Sequence, residues 1–348
     1  MITELKLYTI AQLKDWLGHN QVEEGLSEKI IASVRAYAII HNPYVKDDDP
    51  VVAAIFVDGE NVAYTTAFPE MIDGKRYWWF STLWCDPKHR GNGYGLIVIG
   101  SLVEVYGAEC CLDRWGAQDT VEIFAYFGHK TTYTHRYALG SMIYKSTTKG
   151  KMVAFVRAAQ KCLHRLIERP VTREDYKLRY VPSIDERTYD FIRAHKDSDF
   201  MLRTQETLNW VLRYPFSYSA PIAERIDKTL PIFKAETPHA ELFAVQVFDK
   251  EELIGFYLLK QNADVLHILY LYYDEAQKTK VFASIRDHVK RMKIEQCVTE
   301  HMPLAEYLKK EIYFPKHSVH EISFSVPEGM DLPKEGGVQY GDGDCFTA

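Results

Sequence analysis

The stretch Leu83-Trp84-Cys85-Asp86-Pro87-Lys88-His89-Arg90-Gly91-Asn92-Gly93-Tyr94-Gly95 joins an apolar strand end to a proline turn. An arginine and three alternate glycines follow, and then an apolar helix beginning near Tyr94. Such a sequence reads as a phosphate cradle. The glycines expose successive backbone N–H groups at a helix N-terminus, where unsatisfied donors and the positive end of the helix dipole both favour an anion. Arg90 adds a permanent positive charge.

Spacing separates the phosphate-binding designs that use such a loop. A P-loop requires Lys and then Ser or Thr after its last glycine, whereas Leu96 and Ile97 follow Gly95. The dinucleotide fingerprint G-x-G-x-x-G, begun at Gly91, requires glycine where Leu96 stands. The pattern that fits is Arg-x-x-Gly-x-Gly, preceded by an apolar strand end and followed by an amphipathic helix. It resembles the acetyl-CoA pyrophosphate loop of the GCN5-related N-acetyltransferases, the GNAT superfamily.

The surrounding order supports the resemblance. Helical periodicity runs through Ile10 to Leu17 and Leu26 to Ile40 and stops at Asn42-Pro43. Two β-rich runs, Val51 to Val57 and Val62 to Phe68, flank Asp58-Gly59, a tight-hairpin signal. A third strand, Tyr77 to Cys85, enters the loop. Beyond it, Leu96, Ile99, Leu102, Val103 and Tyr106 recur at helical spacing, Cys110 to Leu112 reads as a short strand, Gln118 to Phe127 as a helix, and Tyr137 to Tyr144 as a closing strand.

A chain of 348 residues with 47% apolar content has enough material for two cores. Residues 146–151 form a polar break, and Met152 to Ile167 reads as an amphipathic basic helix. Residues 240–300 then repeat the plan of hairpin, strand, helix and strand. Their loop, Asp274-Glu275-Ala276-Gln277-Lys278-Thr279, has no glycine and places two carboxylates where a pyrophosphate would lie. The expected architecture is therefore α/β (α+β), with two GNAT-like domains, each a mixed, mostly antiparallel central sheet flanked by helices. The expected divisions are 1–148 for the acyl-CoA-binding domain, 149–170 for a linker helix, 171–330 for a second domain lacking the loop, and 331–348 for an acidic tail.

A net charge of −6 without a long basic run argues against a nucleic-acid surface. Six cysteines, with no C-x-x-C pair and no leader pattern, read as reduced thiols of a cytoplasmic protein, and no apolar run is long enough for a membrane span. His317 and His320 lack a third ligand, so no metal is expected. The pair Trp78-Trp79 reads foremost as packing, with stacking on a sugar or base as the alternative.

The resemblance implies acetyl-CoA as co-substrate and a small-molecule amine as acceptor, an amino sugar being the first expectation. Leu83, Trp84 and Cys85 occupy the strand end that pairs with the cofactor's pantetheine arm in the family, while Arg90, Gly91, Asn92, Gly93, Tyr94 and Gly95 occupy its pyrophosphate loop. Cys85 reads as an ordinary packing residue, so direct transfer is expected rather than an acyl-enzyme. An amine with a pKa near ~10.4 needs a base. Residues Tyr77 to Trp84 offer no carboxylate, which leaves Glu70 and Asp113, each with the alternative of a solvated strand-end charge. The family's general-acid tyrosine falls on Phe124, which has no proton to donate, and Tyr126 lies on another helix face. Tyr133, His129, His135 and water are the other proton sources. Asp342 and Asp344 in the tail are candidates to bind the acceptor ammonium. Two other readings are a FemAB-like aminoacyl transferase, for which a complete CoA loop is unexpected, and a non-catalytic acyl-CoA sensor.

Overall fold

The computed structural model describes residues 2–19, 25–114, 116–140, 175–196, 199–214, 240–262, 264–312, 314–331 and 337–343. The expected linker 149–170, the basic helix 152–167 and Asp344 lie outside these residues.

The first half contains β1 (Thr3–Thr9), α1 (Ile10–His19), α2 (Ser33–Ile40), β2 (Pro50–Val57), β3 (Glu60–Ile72), β4 (Lys75–Cys85), α3 (Tyr94–Tyr106), β5 (Cys111–Arg114), α4 (Gln118–Tyr126) and β6 (His129–Gly140). Tight turns set its hairpins: Asp58-Gly59 and Asp73-Gly74 both carry positive φ at each residue, the conformation that matches strand twist and that Asp-Gly tolerates. The second turn makes β3 and β4 longer than the sequence suggests. Periodicity starts the second helix at Leu26, yet it begins only at Ser33. The strand expected at 137–144 instead starts at His129.

The second half contains β7 (Lys177–Val181), α5 (Glu186–Ala194), α6 (Gln205–Arg213), β8 (Ala240–Asp249), β9 (Glu252–Asn262), β10 (Val265–Tyr273), α7 (Lys278–Arg291), β11 (Gln296–Thr299), α8 (Met302–Glu311) and β12 (Lys316–Pro327). Thr204 caps α6 by accepting from Thr207 N at 3.1 Å. The same helix binds the first half, because the Trp210 indole donates to the Ala38 carbonyl at 2.8 Å.

The twelve strands of the described residues join one mixed sheet, ordered β1-β2-β3-β4-β5-β12-β6-β11-β10-β9-β8-β7. The two halves exchange their closing strands. Strand β12 pairs antiparallel with β5 and along the whole of β6, while β6 also pairs with β11. Phe324 of β12 accordingly packs in the first core, edge-on to Trp79, and Leu139 of β6 packs in the second core with Val281 and Leu304. Burying each such side chain stabilises the fold by about 1.5–3 kcal/mol, so the exchange ties the halves through both cores. His317 and His320 alternate to opposite faces of β12, which separates them as joint ligands. Among the described residues, no helix is long and apolar enough to cross a membrane.

Candidate functional site

Strand β4 pairs in parallel with β5 only through Trp78, Trp79 and Phe80, opposite Cys111, Leu112 and Asp113, and then runs on to Cys85 paired with β3 but parted from β5. Its register to β3 slips between Ser81, opposite Thr66, and Trp84, opposite Tyr64. This is a β-bulge that re-aims the backbone. Thr82 takes a φ of 54° there, a conformation costly for a β-branched residue, and its hydroxyl is held by that of Thr66 at 2.8 Å. A cavity of about 290 Å³ opens at this point, bordered by Ser81, Thr82, Leu83, Asp113, Thr120 and Phe124 among others.

The strand leads to the glycine loop. Asp86 accepts from Lys88 N at 2.8 Å and closes the one-turn helix 87–89. Gly91 and Gly93 then take φ of 86° and 77°, and a Cβ at either would meet nothing within 4 Å. Backbone conformation, not crowding, demands glycine at both. Gly93 caps α3 without a side chain, leaving the first N–H groups of the helix exposed beside Arg90, which is itself exposed.

The other expected residues fall in differing places. Cys85 is half-buried; burial raises its thiol pKa, which nearby Arg90 only partly offsets. Asp113 is buried on β5 at the cavity wall, not beyond the strand. Tyr126 is 75% exposed and does not border the cavity, whereas Phe124 is buried there, edge-on to Phe80 and His129. Trp78 and Trp79 are core residues, Trp78 stacked on Tyr106.

The alternative of a solvated strand-end charge for Glu70 is overturned, because β3 continues through it and closes the core around it. Its carboxylate takes the Trp79 indole N–H at 2.8 Å and the Arg203 guanidinium at 3.1 Å, with side-chain exposures of 1% and 0% for the ion pair. Burial raises the Glu70 pKa against the opposing pull of Arg203 and Trp79. Asp342 is equally buried: its Oδ1 lies 3.9 Å from Arg203 Nε, and its Oδ2 accepts from Gln339 N at 2.8 Å. Burial pushes its pKa to about 6. Arg114 donates to the carbonyls of Gln339 at 2.7 Å and Asp342 at 2.8 Å and also pairs with Glu300, which Arg136 meets from the other side at 3.0 Å. Three arginines and three carboxylates thus balance inside the protein. The sequence reading missed Arg114, Arg136, Arg203 and Glu300, since a charge destined for the interior carries no local mark of it.

The second half repeats the opening in altered form. Strand β10 pairs with β11 through Val265, Leu266 and His267 and then separates, with its own register slip between Ile268 and Tyr270. Asp274 accepts from Ala276 N at 2.9 Å, as Asp86 does from Lys88 N. Helix α7 starts directly after Gln277, so residues 90–93 have no counterpart. Beyond the slip the protein's own C-terminal segment takes the free edge: Gly341 N donates to the Leu269 carbonyl, and Leu271 N donates to Gln339 Oε1, both at 2.8 Å.

Comparison with known proteins agrees with this geometry. The family described as the Acetyltransferase (GNAT) family matches residues 12–126. Among solved structures, a putative acetyltransferase from Pyrococcus horikoshii is similar at 12% identity and TM-score 0.53, over 99% of this chain and 96% of that one. A probable N-acyltransferase from Enterococcus faecalis is similar at 12% identity and TM-score 0.51, over 94% and 73%. Saccharomyces cerevisiae N-myristoyltransferase with bound myristoyl-CoA is similar at 13% identity and TM-score 0.50, over 99% and 83%. At such identities the likeness is one of fold. No curated protein matches the chain. With a glycine-capped helix following a bulged and splayed strand, inside the span that matches, the chain carries at residues 12–126 a domain of the GNAT acetyltransferase family.

Proposed function

We propose that the protein is an acetyl-CoA-dependent N-acetyltransferase that acylates the primary amine of a small molecule, an amino sugar first among candidates, by direct transfer in a ternary complex. The observation that carries this reading is the continuity of three features: the β4 bulge at Thr82, the opening between β4 and β5, and the glycine-capped N-terminus of α3. Leu83 to Cys85 offer an unpaired edge to an amide-bearing arm. Gly91 to Gly95 offer N–H groups, and Arg90 a charge, to a pyrophosphate. The co-substrate supplies the activated acyl group. Backbone N–H groups at the bulge are the donors available to a developing oxyanion.

Asp113, at the wall of the opening, is the residue we assign to accept the ammonium proton, because Glu70 is committed to Arg203 and Trp79. The raised thiol pKa of Cys85 favours direct attack by the amine over an acyl-enzyme. The amine nitrogen bonds to the carbonyl carbon and the carbon–sulfur bond breaks, and the second proton lost by that nitrogen reaches the leaving thiolate through water, since Phe124 has none to give. A cavity of about 290 Å³ suits a short acyl group.

The test is free-thiol release from acetyl-CoA over a panel of primary amines, with myristoyl-CoA as a parallel donor. Turnover is expected with acetyl-CoA on at least one amine and at least roughly tenfold less with myristoyl-CoA. Gly93→Asp and Arg90→Ala are expected to weaken CoA binding by roughly tenfold or more. Unchanged CoA affinity in both variants refutes the assignment of the loop.

A further inference from the structure

The opening between β10 and β11 holds a second cavity of about 320 Å³, at the lower end of the range for small-molecule sites. It lies beside the C-terminal segment that occupies the free edge of β10. Its polar walls are acidic. Asp199 enters from the segment before α6, Glu275 from the one-turn helix before α7, and Glu300 from the end of β11. Among the described residues, no lysine or arginine borders it.

These carboxylates differ in how they are balanced. Glu300 is satisfied from behind by Arg114 and Arg136. Glu275 is mostly exposed and meets Lys278 at 2.7 Å. Asp199 takes its hydrogen bonds from neutral groups, Gln339 Nε2 at 3.0 and 3.1 Å and the Tyr272 hydroxyl, with the exposed Lys196 as a nearby cation. Burial, with Asp342 adding to it, pushes the Asp199 pKa to about 7 against the opposing pull of Gln339, Tyr272 and Lys196. The rest of the wall suits an organic cation. The rings of Tyr272, Tyr273 and Tyr340 line it, and aromatic faces attract ammonium groups. His301 does not compete as a cation: burial lowers its pKa to about 4, and its Nε2 lies 3.0 Å from the Tyr273 hydroxyl.

We propose that this second-half cavity is a binding site for a small organic compound carrying a primary ammonium, held by Asp199 and Glu275 and flanked by the tyrosine rings. It is separate from the donor opening of the first half. Arg114 borders the donor cavity and Glu300 the ammonium cavity, so their ion pair lies between the two. The site does not depend on acyl transfer, and its test reads binding alone.

The experiment is calorimetric titration of the full chain with ethanolamine, 1,4-diaminobutane and spermidine, and with 1-butanol as an uncharged control, in the absence and presence of saturating CoA. At least one amine is expected to bind roughly tenfold or more tightly than 1-butanol, with CoA failing to displace it. Glu275→Gln, a substitution at an exposed side chain, and Asp199→Asn are each expected to weaken that amine by roughly fivefold or more. A bound acceptor and a bound effector share this chemistry; acetylation of the bound amine, read by mass spectrometry with acetyl-CoA, identifies the former. Absence of binding by all three amines overturns the proposal, as does displacement by CoA or affinity unchanged in both variants.

Discussion

Replacing Arg203 with methionine removes the cation between β3 and the C-terminal segment while keeping much of its volume. Its guanidinium meets Glu70 at 3.1 Å and the Gly343 carbonyl at 2.8 Å, with Asp342 at 3.9 Å. The substitution leaves Glu70 buried with the Trp79 indole as its remaining measured donor. An uncompensated buried charge costs about 3–5 kcal/mol, a large part of the ~5–15 kcal/mol by which domains are stable. Glu70→Gln removes the opposite charge and leaves Arg203 with the more distant Asp342, at a cost of the same order or smaller. Combining the two substitutions replaces the pair by neutral groups, and neutral replacements of buried pairs are often close to neutral in stability. The double variant is therefore expected to be less destabilised than the sum of the singles by roughly 2–3 kcal/mol. Urea unfolding of the four proteins, followed by circular dichroism with m-values compared, measures the cycle. Additivity within about 0.5 kcal/mol, or a cost below about 1 kcal/mol for Arg203→Met alone, refutes the view that this pair carries the junction.

Asp199 and Asp342 have folded pKa values raised by burial to about 7 and about 6, above the ~3.9 of an unfolded aspartate. A raised carboxylate favours the folded state most below the unfolded pKa and loses that contribution as pH rises through the folded one, so these groups make stability fall between about pH 4 and about pH 7. The melting temperature of Asp199→Asn is expected to fall less than that of the parent between pH 4.5 and 8; an equal or steeper fall contradicts the assignment. CoA binding is expected at one site per chain, because the second half lacks residues 90–93 and its own segment at Gln339 to Gly341 occupies the β10 edge. A calorimetric stoichiometry of two excludes that reading.

Much of the first half was legible because its signals are local. Asp58-Gly59 fixes a hairpin by backbone conformation, and Arg90 to Gly95 combines charge, positive φ and a helix start within a few residues. The plan of the second half was equally readable, since its strands and α7 repeat a periodic pattern. Strand β1 was not, although Leu5-Lys6-Leu7-Tyr8 alternates, because an edge strand that remains half-exposed gives a weak signal. Glu70 read as a candidate base or a solvated charge and Asp342 as an ammonium ligand, because nothing within several residues of either indicates burial.

By itself, the sequence determined where the glycine loop lies, that the second half lacks one, and which family pattern residues 83–95 follow. Local chemistry suffices there, for steric rules and hydrogen-bond geometry act over a few residues. Only the tertiary structure decided that β12 and β6 change places, that three arginines and three carboxylates meet in the interior, and that Gln339 to Gly341 fill the second opening. Those contacts join residues 70, 114, 203, 300 and 342, and pairings at such separations are selected by the packing of the whole chain.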